Sequence, residues 1–499
     1  MNILTKVQAV SADKYAMDDC GVPSAILMEN AARSAFEILS EKISKDSKIC
    51  ILCGSGNNGG DGFALARHLI ANGYFRTTVF SIADKSKMSD ESLNNYQICS
   101  NLEIPIFYFY NLDEFYGLDK DFDCYVEALT GIGGDENLRE FLSSLLKIIN
   151  GRKGFKATID LPAGLNPDTG KAHPDAFKAD LTISMFAPKL GMYLKDGRNL
   201  CGEIRTASLG IPLDIIKKFS TINIYRNEDI RNILKIRDNS SSKFDFGNVL
   251  IIAGSAAYPG AAALTANAAV RAGAGLVHLA STEFLPALFP EVIRINLERN
   301  SDGTINKSNR LKLHDSIQKA DAIAIGPGIG DNKETLDMIM ALIREFPDKK
   351  FVIDADGLKC LSADKLLNQN IVITPHLYEF ARLIAKSPED ISGREYELTN
   401  EYARRLNCVL HLKSVPSITS NGQQTALCTN GNPGMATGGS GDVLTGIISA
   451  YLGMGIAPFE AASLGAFIHS KAGDLYTKSH SQESLKAGDL IEFLKYVLD

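Results

Sequence analysis

Ile49-Cys50-Ile51-Leu52-Cys53-Gly54-Ser55-Gly56-Asn57-Asn58-Gly59-Gly60-Asp61-Gly62 is the stretch on which the fold turns. Its first five residues are apolar and β-prone and belong to a strand predicted over 48–53. The glycines that follow punctuate that strand and permit a tight turn. A helical pattern then begins near Asp61 and runs to Asn72. Strand, glycine loop and helix in that order open a parallel α/β unit, with the loop at the strand's carboxyl end, where such sheets bind ligands. The spacing is not G-x-G-x-x-G, so an ordinary dinucleotide redox site is not inferred. Cys50 and Cys53 form a C-x-x-C, but residues three apart on a strand face opposite sides. Core thiols are therefore expected there.

The same alternation extends outward. Apolar runs at 77–82, 104–110, 124–129, 155–161 and 181–186 alternate with helical patterns such as 138–149. Around 227–246 the pattern changes, and Asn239-Ser240-Ser241-Ser242 is a polar cluster suited to a linker. A second series of strands follows at 249–253, 277–280, 322–325, 351–354, 371–374 and 409–412, and long helical patterns begin at Asp442. The expected fold class is α/β in two domains, 1–224 and 225–499, each a mostly parallel sheet covered by helices on both faces.

Composition narrows the function. A net charge of −7 without a basic stripe argues against nucleic acid as a partner. Nine scattered cysteines, an odd number, suit reduced thiols and not a disulfide framework. No apolar run approaches the roughly 18 residues of a membrane span, and residues 1–19 resemble neither a signal nor a transit peptide. A cytoplasmic enzyme that forms a homo-oligomer and contacts neither membrane nor nucleic acid is expected.

The most informative stretch for chemistry is Asn430-Gly431-Asn432-Pro433-Gly434-Met435-Ala436-Thr437-Gly438-Gly439-Ser440-Gly441-Asp442. It delivers a glycine loop to the apolar helical run at 443–448. Backbone N–H groups at such a junction bind phosphate. Asp442, at the helix start, could deprotonate a hydroxyl that attacks a phosphoryl group. Other predicted strand ends carry Gly326-Pro327-Gly328-Ile329-Gly330, Asp354-Ala355-Asp356, Thr374-Pro375-His376 and Lys413. In the first half, strand ends carry Gly131-Ile132-Gly133-Gly134, Asp160-Leu161-Pro162-Ala163-Gly164 and Ala187-Pro188-Lys189. Asp160 and Lys189 read equally as a proton-transfer pair or as a structural salt bridge.

With these residues assembled, 240–499 resembles the ADP/ATP-dependent NAD(P)H-hydrate dehydratases, and about 1–215, including Leu27-Met28-Glu29-Asn30-Ala31-Ala32-Arg33, resembles the NAD(P)H-hydrate epimerases. The whole chain is similar to the bifunctional NAD(P)H-hydrate repair family. The resemblance implies a Rossmann-like three-layer sandwich followed by a ribokinase-like α/β domain. Its substrates would be the hydrated cofactors NADHX and NADPHX. ADP, or alternatively ATP, would phosphorylate the ring hydroxyl of the S hydrate, with Mg2+, and loss of phosphate would restore the dihydronicotinamide. Epimerisation at the hydroxyl-bearing carbon would supply the S form from the R form.

The resemblance also implies residue roles. Asp442 would act as base and touch the hydrate, alongside Ala261, Gly328 and His376. Gly441 and the segment Lys413, Ser414, Val415, Pro416 and Ser417 would hold the nucleotide. In the epimerase half, Asn57, Asn58, Gly59, Gly60 and Asp61, then Gly131, Ile132, Gly133, Gly134, Asp135, Glu136 and Asn137, and Asp160 would bind the hydrate, with Asp160 and Lys189 catalytic. A K+ site would fall on Asn58, Glu127 and Ala163. Two departures stand out there, because the family's Asp is Glu127 and its Ser is Ala163, which leaves only a backbone carbonyl. Weaker potassium dependence or reduced epimerase activity is expected. At the nucleotide segment, Lys413-Ser414 replaces Lys-Gly, and earlier Lys243-Phe244 does the same. A dehydratase with an impaired N-terminal half, and a small-molecule kinase forming a stable phosphoester, remain open at this point.

Overall fold

Short runs of buried β-branched and aliphatic residues build both sheets. The structure is a computed structural model and describes every residue except 119–120, 235–236, 364–365 and 499. The chain divides into two compact units, Asn2–Ile222 and, with Met1, Asn223–Asp499.

The N-terminal unit carries strands β1 (Ile49–Cys53), β2 (Thr77–Ser81), β3 (Ile106–Tyr108), β4 (Cys124–Ala128), β5 (Phe155–Ile159), β6 (Leu181–Met185) and β7 (Glu203–Ala207). They lie in the order β3-β2-β1-β4-β5-β6-β7, with neighbours parallel. The order reverses between β1 and β4, the switch point at which such sheets open a crevice. Cys50 packs on one face with Phe80, Leu145 and Ile149, and Cys53 on the other with Phe63 and Leu69, so the C-x-x-C is two core thiols.

Helices α1 (Lys6–Asp18), α2 (Ser24–Ser40) and α3 (Asn57–Ala71) belong to this unit. α3 starts at Asn57, four residues before the expected Asp61, so Asn57, Asn58, Gly59 and Gly60 are its first turn. Gly59 makes that possible: a Cβ there would lie 2.0 Å from the Gly54 carbonyl oxygen. Only glycine lets the helix start pass so close to the strand end.

The C-terminal unit carries β8 (Asn248–Ile252), β9 (Leu276–Ser281), β10 (Ile293–Asn296), β11 (Ala322–Ile325), β12 (Lys350–Ile353), β13 (Ile371–Ile373), β14 (Val409–Leu412), β15 (Ser417–Ser420) and β16 (Thr425–Cys428). Their order is β16-β15-β14-β13-β12-β11-β8-β9-β10. β14, β15 and β16 pair antiparallel, and the rest are parallel, so the sheet is mixed. Helices α4 (Pro259–Arg271), α6 (Ser440–Gly453) and α7 (Pro458–Tyr476) cover one face, and α5 (Leu377–Leu383) with its neighbours covers the other. Both units are thus three-layer α/β, the expected class. Six strands among the described residues lie outside the apolar runs of the sequence: β7, β10, β15, β16 and the short strands Asn2–Ile3 and Ile222–Ile224. β7 and β10 are edge strands whose residues, Glu-Ile-Arg-Thr-Ala and Ile-Arg-Ile-Asn, are too polar and exposed to register as apolar runs.

Candidate functional site

In the C-terminal unit the chemistry gathers at the carboxyl ends of adjacent strands β14, β13, β12, β11 and β8. Lys413 follows β14, His376 sits two residues beyond Thr374 after β13, and Asp354 follows β12. His376 and Lys413 are bridged through their backbones. Lys413 Nζ donates to Asp354 Oδ1 at 2.7 Å, and Thr445 Oγ1 donates to Asp354 Oδ2 at 2.7 Å. Asp354 is buried, so both its oxygens are spent on anchoring. Thr445 reaches it from α6, one turn after Asp442.

The glycine loop arrives over these residues. Gly439, at φ +89°, is the N-cap of α6, and a Cβ on Gly441 would stand 3.2 Å from Lys413 Nζ. Among the described residues the N–H groups of Gly441 and Asp442 make no backbone bond, which is the open donor pair an anion needs. α6 is held by close crossing with α4, where a Cβ on Gly446 would lie 2.2 Å from the Thr265 carbonyl oxygen. The loop's far end is tied down by Asp474, whose carboxylate accepts from Gly431 N at 3.0 Å and Asn432 Nδ2 at 3.1 Å.

Asp442 itself forms no hydrogen bond among the described residues. Burial, and then the charge of Asp354, push its carboxyl up to about 7, against the opposing pull of Lys413. Burial pulls the Lys413 ammonium down, but Asp354 and Glu379 outweigh it and hold it above its ordinary value. Ala261 and Gly328 meet, with a Cβ on Gly328 falling 3.1 Å from that of Ala261 and 2.7 Å from that of the exposed Tyr258. His376 spends Nδ1 as the cap of α5, accepting from Tyr378 N and Glu379 N at 3.2 and 3.3 Å. Ser414 has ordinary negative φ, and its hydroxyl donates to the Pro416 carbonyl at 2.6 Å, so the position does not need glycine. Val415 is exposed, Pro416 is buried, and Ser417 begins β15.

In the N-terminal unit Asp160 and Lys189 are ion-paired and both buried. Asp160 also accepts from Ile132 N at 3.0 Å and Met185 N at 3.2 Å, and Lys189 donates to Ser184 Oγ at 3.2 Å and Met185 O at 2.8 Å. Gly131–Gly133 is a 3-10 turn. Beyond it, Asp135 accepts from Asn137 N at 2.8 Å and Glu136 accepts from Asn166 Nδ2 at 2.6 Å. Asn58 is buried with neither amide atom bonded among the described residues, and it lies against Gly131. Asp61, one turn further along α3, has its carboxyl raised well above the ordinary range by burial and by the charges of Asp160 and Asp13.

Two of the three residues expected to hold potassium are bonded to each other. Glu127 is fully buried and accepts from Leu129 N at 2.7 Å, Thr158 Oγ1 at 2.6 Å and Ala163 N at 3.1 Å. Ala163 therefore presents its N–H to Glu127, while its carbonyl accepts from Phe177 N at 3.0 Å. The carbonyl expected of Ala163 as a ligand already accepts one hydrogen bond. The longer glutamate side chain reaches that backbone directly. Only Asn58 keeps an unbonded oxygen.

Residues 24–191 match the family described as YjeF-related protein N-terminus. Residues 249–495 match the family described as NAD(P)H-hydrate dehydratase. The bifunctional NAD(P)H-hydrate repair enzyme Nnr of Dictyoglomus turgidum is 34% identical, over 100% of this chain and 98% of its own length. The chain belongs to the bifunctional NAD(P)H-hydrate repair enzymes. The enzyme of the same description from Moorella thermoacetica is 32% identical over 100% of this chain and 97% of its own. A solved ADP/ATP-dependent NAD(P)H-hydrate dehydratase from Bacillus subtilis, co-crystallised with ATP/Mg2+, is 28% identical, covers 55% of this chain and 96% of its own, and superposes with a TM-score of 0.48.

Four residues of these sites had gone unremarked in the sequence. Thr445 could have been found, because it lies three residues from Asp442 and so shares its helix face. Glu379 stands 3.9 Å from Lys413 Nζ. His469, buried and pushed down to about 4 by burial, lies 3.3 Å from Ser440 Oγ. Nothing local distinguishes either. Asp13 is the fourth; it reaches Asp160 and Lys189 only through the fold.

Proposed function

We propose that the C-terminal unit dehydrates the S hydrate of NADH and NADPH at the expense of ADP, with ATP as the alternative donor, and that the N-terminal unit interconverts the R and S hydrates. The observation that carries the first half is Asp442. It is an unbonded carboxylate with its proton affinity set near neutrality, at the mouth of a helix whose N–H groups are open.

Asp442 takes the proton of the ring hydroxyl as the hydroxyl oxygen attacks the terminal phosphoryl group, whose bridging P–O bond breaks with its electron pair leaving on AMP, or on ADP where ATP is the donor. The N–H groups of Gly441 and Asp442 stabilise the charge that collects on the phosphoryl oxygens, and the Lys413 ammonium beside Gly441 adds to this. The carbon–oxygen bond then breaks with its electron pair leaving on phosphate. Loss of a ring proton restores the double bond. Among the described residues no group of three or more His, Cys, Asp or Glu side chains converges on a metal position. Mg2+ would be carried chiefly by the nucleotide phosphates, where it neutralises charge. Ser414–Ser417 would border the nucleotide, and Ala261, Gly328 and His376 the hydrate.

For the N-terminal unit we assign Asn57–Asp61, Gly131–Asn137 and Asp160 to hydrate binding and the pair Asp160–Lys189 to catalysis. Asn58, Glu127 and Ala163 fit potassium poorly, since two of the three spend their polar atoms on each other or on Phe177, and no step is assigned to it. Nine free cysteines support a reducing compartment, the cytoplasm. A homo-oligomer stays part of the proposal, to be checked by light scattering. No helix among the described residues is long and apolar enough to cross a membrane.

The test is recovery of reduced-nicotinamide absorbance from separated S and R hydrates with ADP or ATP. Recovery from S that needs nucleotide, and from R at a rate the spontaneous reaction cannot match, supports both halves. A stable phosphoester in place of NAD(P)H would refute the first. Recovery from S alone would refute the second.

A further inference from the structure

The epimerase cleft holds more acid than Asp160 and Lys189 account for. Those two are each other's partners, and their remaining bonds go to Ile132, Met185 and Ser184. A proton on that pair can move only by breaking the network. Asp13 and Asp61 have no hydrogen-bond or ion-pair partner among the described residues. Asn58, on the same face of α3 as Asp61, is an unpartnered amide with 8% of its surface exposed. A buried, unbonded amide marks the position of a ligand's polar group.

The fold brings Asp13 to this place. Leu4 pairs in parallel with Lys189: its N–H donates to the Pro188 carbonyl at 2.9 Å, and Leu190 N donates to the Leu4 carbonyl at 2.9 Å. Thr5 then caps α1. Ala9, Ala12 and Ala16 form the stripe that packs with Phe186 and Ala187 beside Lys189. Side chains this small allow α1 to approach the strand-end loop closely. Asp13 is one turn from both Ala9 and Ala16, so it stands on the rim of that stripe. Asp13 is exposed as a residue, while protein atoms crowd its carboxyl, with Asp160 and Lys189 the charges that act on it.

We propose that Asp13 is a second acid–base residue of the epimerase site, exchanging a proton directly with the hydroxyl of the hydrate. This rests on the epimerase reading of the N-terminal unit. Inverting the hydroxyl-bearing carbon takes the oxygen off one face and returns it to the other. The carbon–oxygen bond breaks with its pair on oxygen, the ring-nitrogen lone pair forms C=N, and the Asp13 carboxyl protonates the departing oxygen to give water. Water then adds to the opposite face through an oxygen lone pair, and the C=N π pair returns to nitrogen. The surplus proton passes to a carboxylate of the cluster. One water leaves, one enters, and nothing is oxidised or reduced. A single saturated ion pair cannot serve both faces.

The titration of Asp13 supports the role. Burial, and the charge of Asp160, raise its carboxyl to about 6 against Lys189. The charged groups facing it from packed elements are Lys189, Asp160 and Asp61. The helix Asp214–Phe219, on the Tyr15 side of α1, keeps Lys217 on Asp214 and Lys218 on Tyr15. On its own helix the neighbouring cations are Lys6 and Lys14.

The experiment measures epimerisation of R hydrate by the full-length chain, its Asp13→Asn variant and its Asp13→Glu variant between pH 5 and 9. Dehydration of S hydrate is read on the same preparations. The expected result for Asp13→Asn is a kcat lower by roughly 100- to 10,000-fold with KM little changed. The inflection near pH 6 should be lost, and Asp13→Glu should restore part of the rate together with an inflection. S-hydrate dehydration should persist. An Asp13→Asn kcat within about threefold of the unmodified chain, with the inflection retained, overturns the proposal while leaving the epimerase reading intact. So does a loss confined to KM. Failure of the unmodified chain to epimerise overturns both.

Discussion

Asp442 offers the sharpest test, because its environment fixes where its activity should fail. Its carboxyl is held up to about 7 by burial and by Asp354. As the proposed base it would work only when ionised. About a tenth of it is ionised at pH 6 and about a hundredth at pH 5. kcat/KM for S hydrate should therefore fall about tenfold per pH unit below 7 and level off near 8. An aspartate at its ordinary 3.8 would show no fall above pH 5. The same shift has a thermodynamic sign. A raised carboxyl binds its proton more tightly folded than unfolded. Its stabilising contribution is full below 3.8 and is lost as pH rises through 7. At about 1.4 kcal/mol per pH unit the ionised form costs at most about 4 kcal/mol, less for a group that keeps some solvent. Asp442→Asn should then abolish NAD(P)H recovery, retain nucleotide binding by calorimetry, and melt at higher temperature than the unmodified chain at pH 8, with the gap closing toward pH 4. A flat kcat/KM between pH 5.5 and 8 in folded enzyme would refute the reasoning, as would turnover by Asp442→Asn.

Other perturbations should separate along the same lines. Lys413→Met leaves Asp354 buried without its ion partner, which costs roughly 3–5 kcal/mol by denaturant titration; a loss under about 1 kcal/mol would show that Asp354 does not depend on it. Gly59→Ala drives a Cβ to 2.0 Å from the Gly54 carbonyl oxygen. It should lower the stability of the N-terminal unit by about 1–3 kcal/mol or more and suppress R-hydrate turnover while S-hydrate dehydration continues. Unchanged melting would contradict the close approach. Replacing K+ by Na+ should alter the epimerisation rate by less than about twofold, because Glu127 and Ala163 spend their polar atoms within the protein. Strong, saturable activation by K+ would show that the loop rearranges.

The parts of the fold legible in sequence were those that announce themselves locally. Ile49–Cys53 and Ala322–Ile325 are unbroken apolar runs ended by glycine, and a strand buried on both faces must look like that. The edge strands Glu203–Ala207 and Ile293–Asn296 bury little and so carry no such signal. Asp442 was legible because its loop is dense in glycine. Its dependence on Asp354 and Lys413 was not, because those residues lie on different strands and meet only when β12, β13 and β14 are laid side by side. The start of α3 was misplaced because Gly59 and Gly60 read as loop by propensity. Gly59 is instead demanded by the Gly54 carbonyl against the helix start, and Gly60 by the Met28 side chain, 2.9 Å from where its Cβ would lie.

The two sites divide labour in the same way. In each, an aspartate is spent on a lysine, Asp354 on Lys413 in one and Asp160 on Lys189 in the other, and among the described residues nearby carboxylates are left without hydrogen bonds and proton-retaining, Asp442 in one, Asp13 and Asp61 in the other. On the proposed reading the pair sets the local field, and the unbonded acid beside it would exchange a proton with substrate. The division has a directional consequence. Asp354 raises the Asp442 carboxyl and Lys413 lowers it. Removing the Asp354 charge should move the dehydratase limb to lower pH, and removing the Lys413 charge should move it to higher pH, while removal of Asp442 leaves no limb to move. A carboxylate whose role was only to cap its helix would show none of this ordering, since the cap's hydrogen bonds do not depend on which distant charge is taken away.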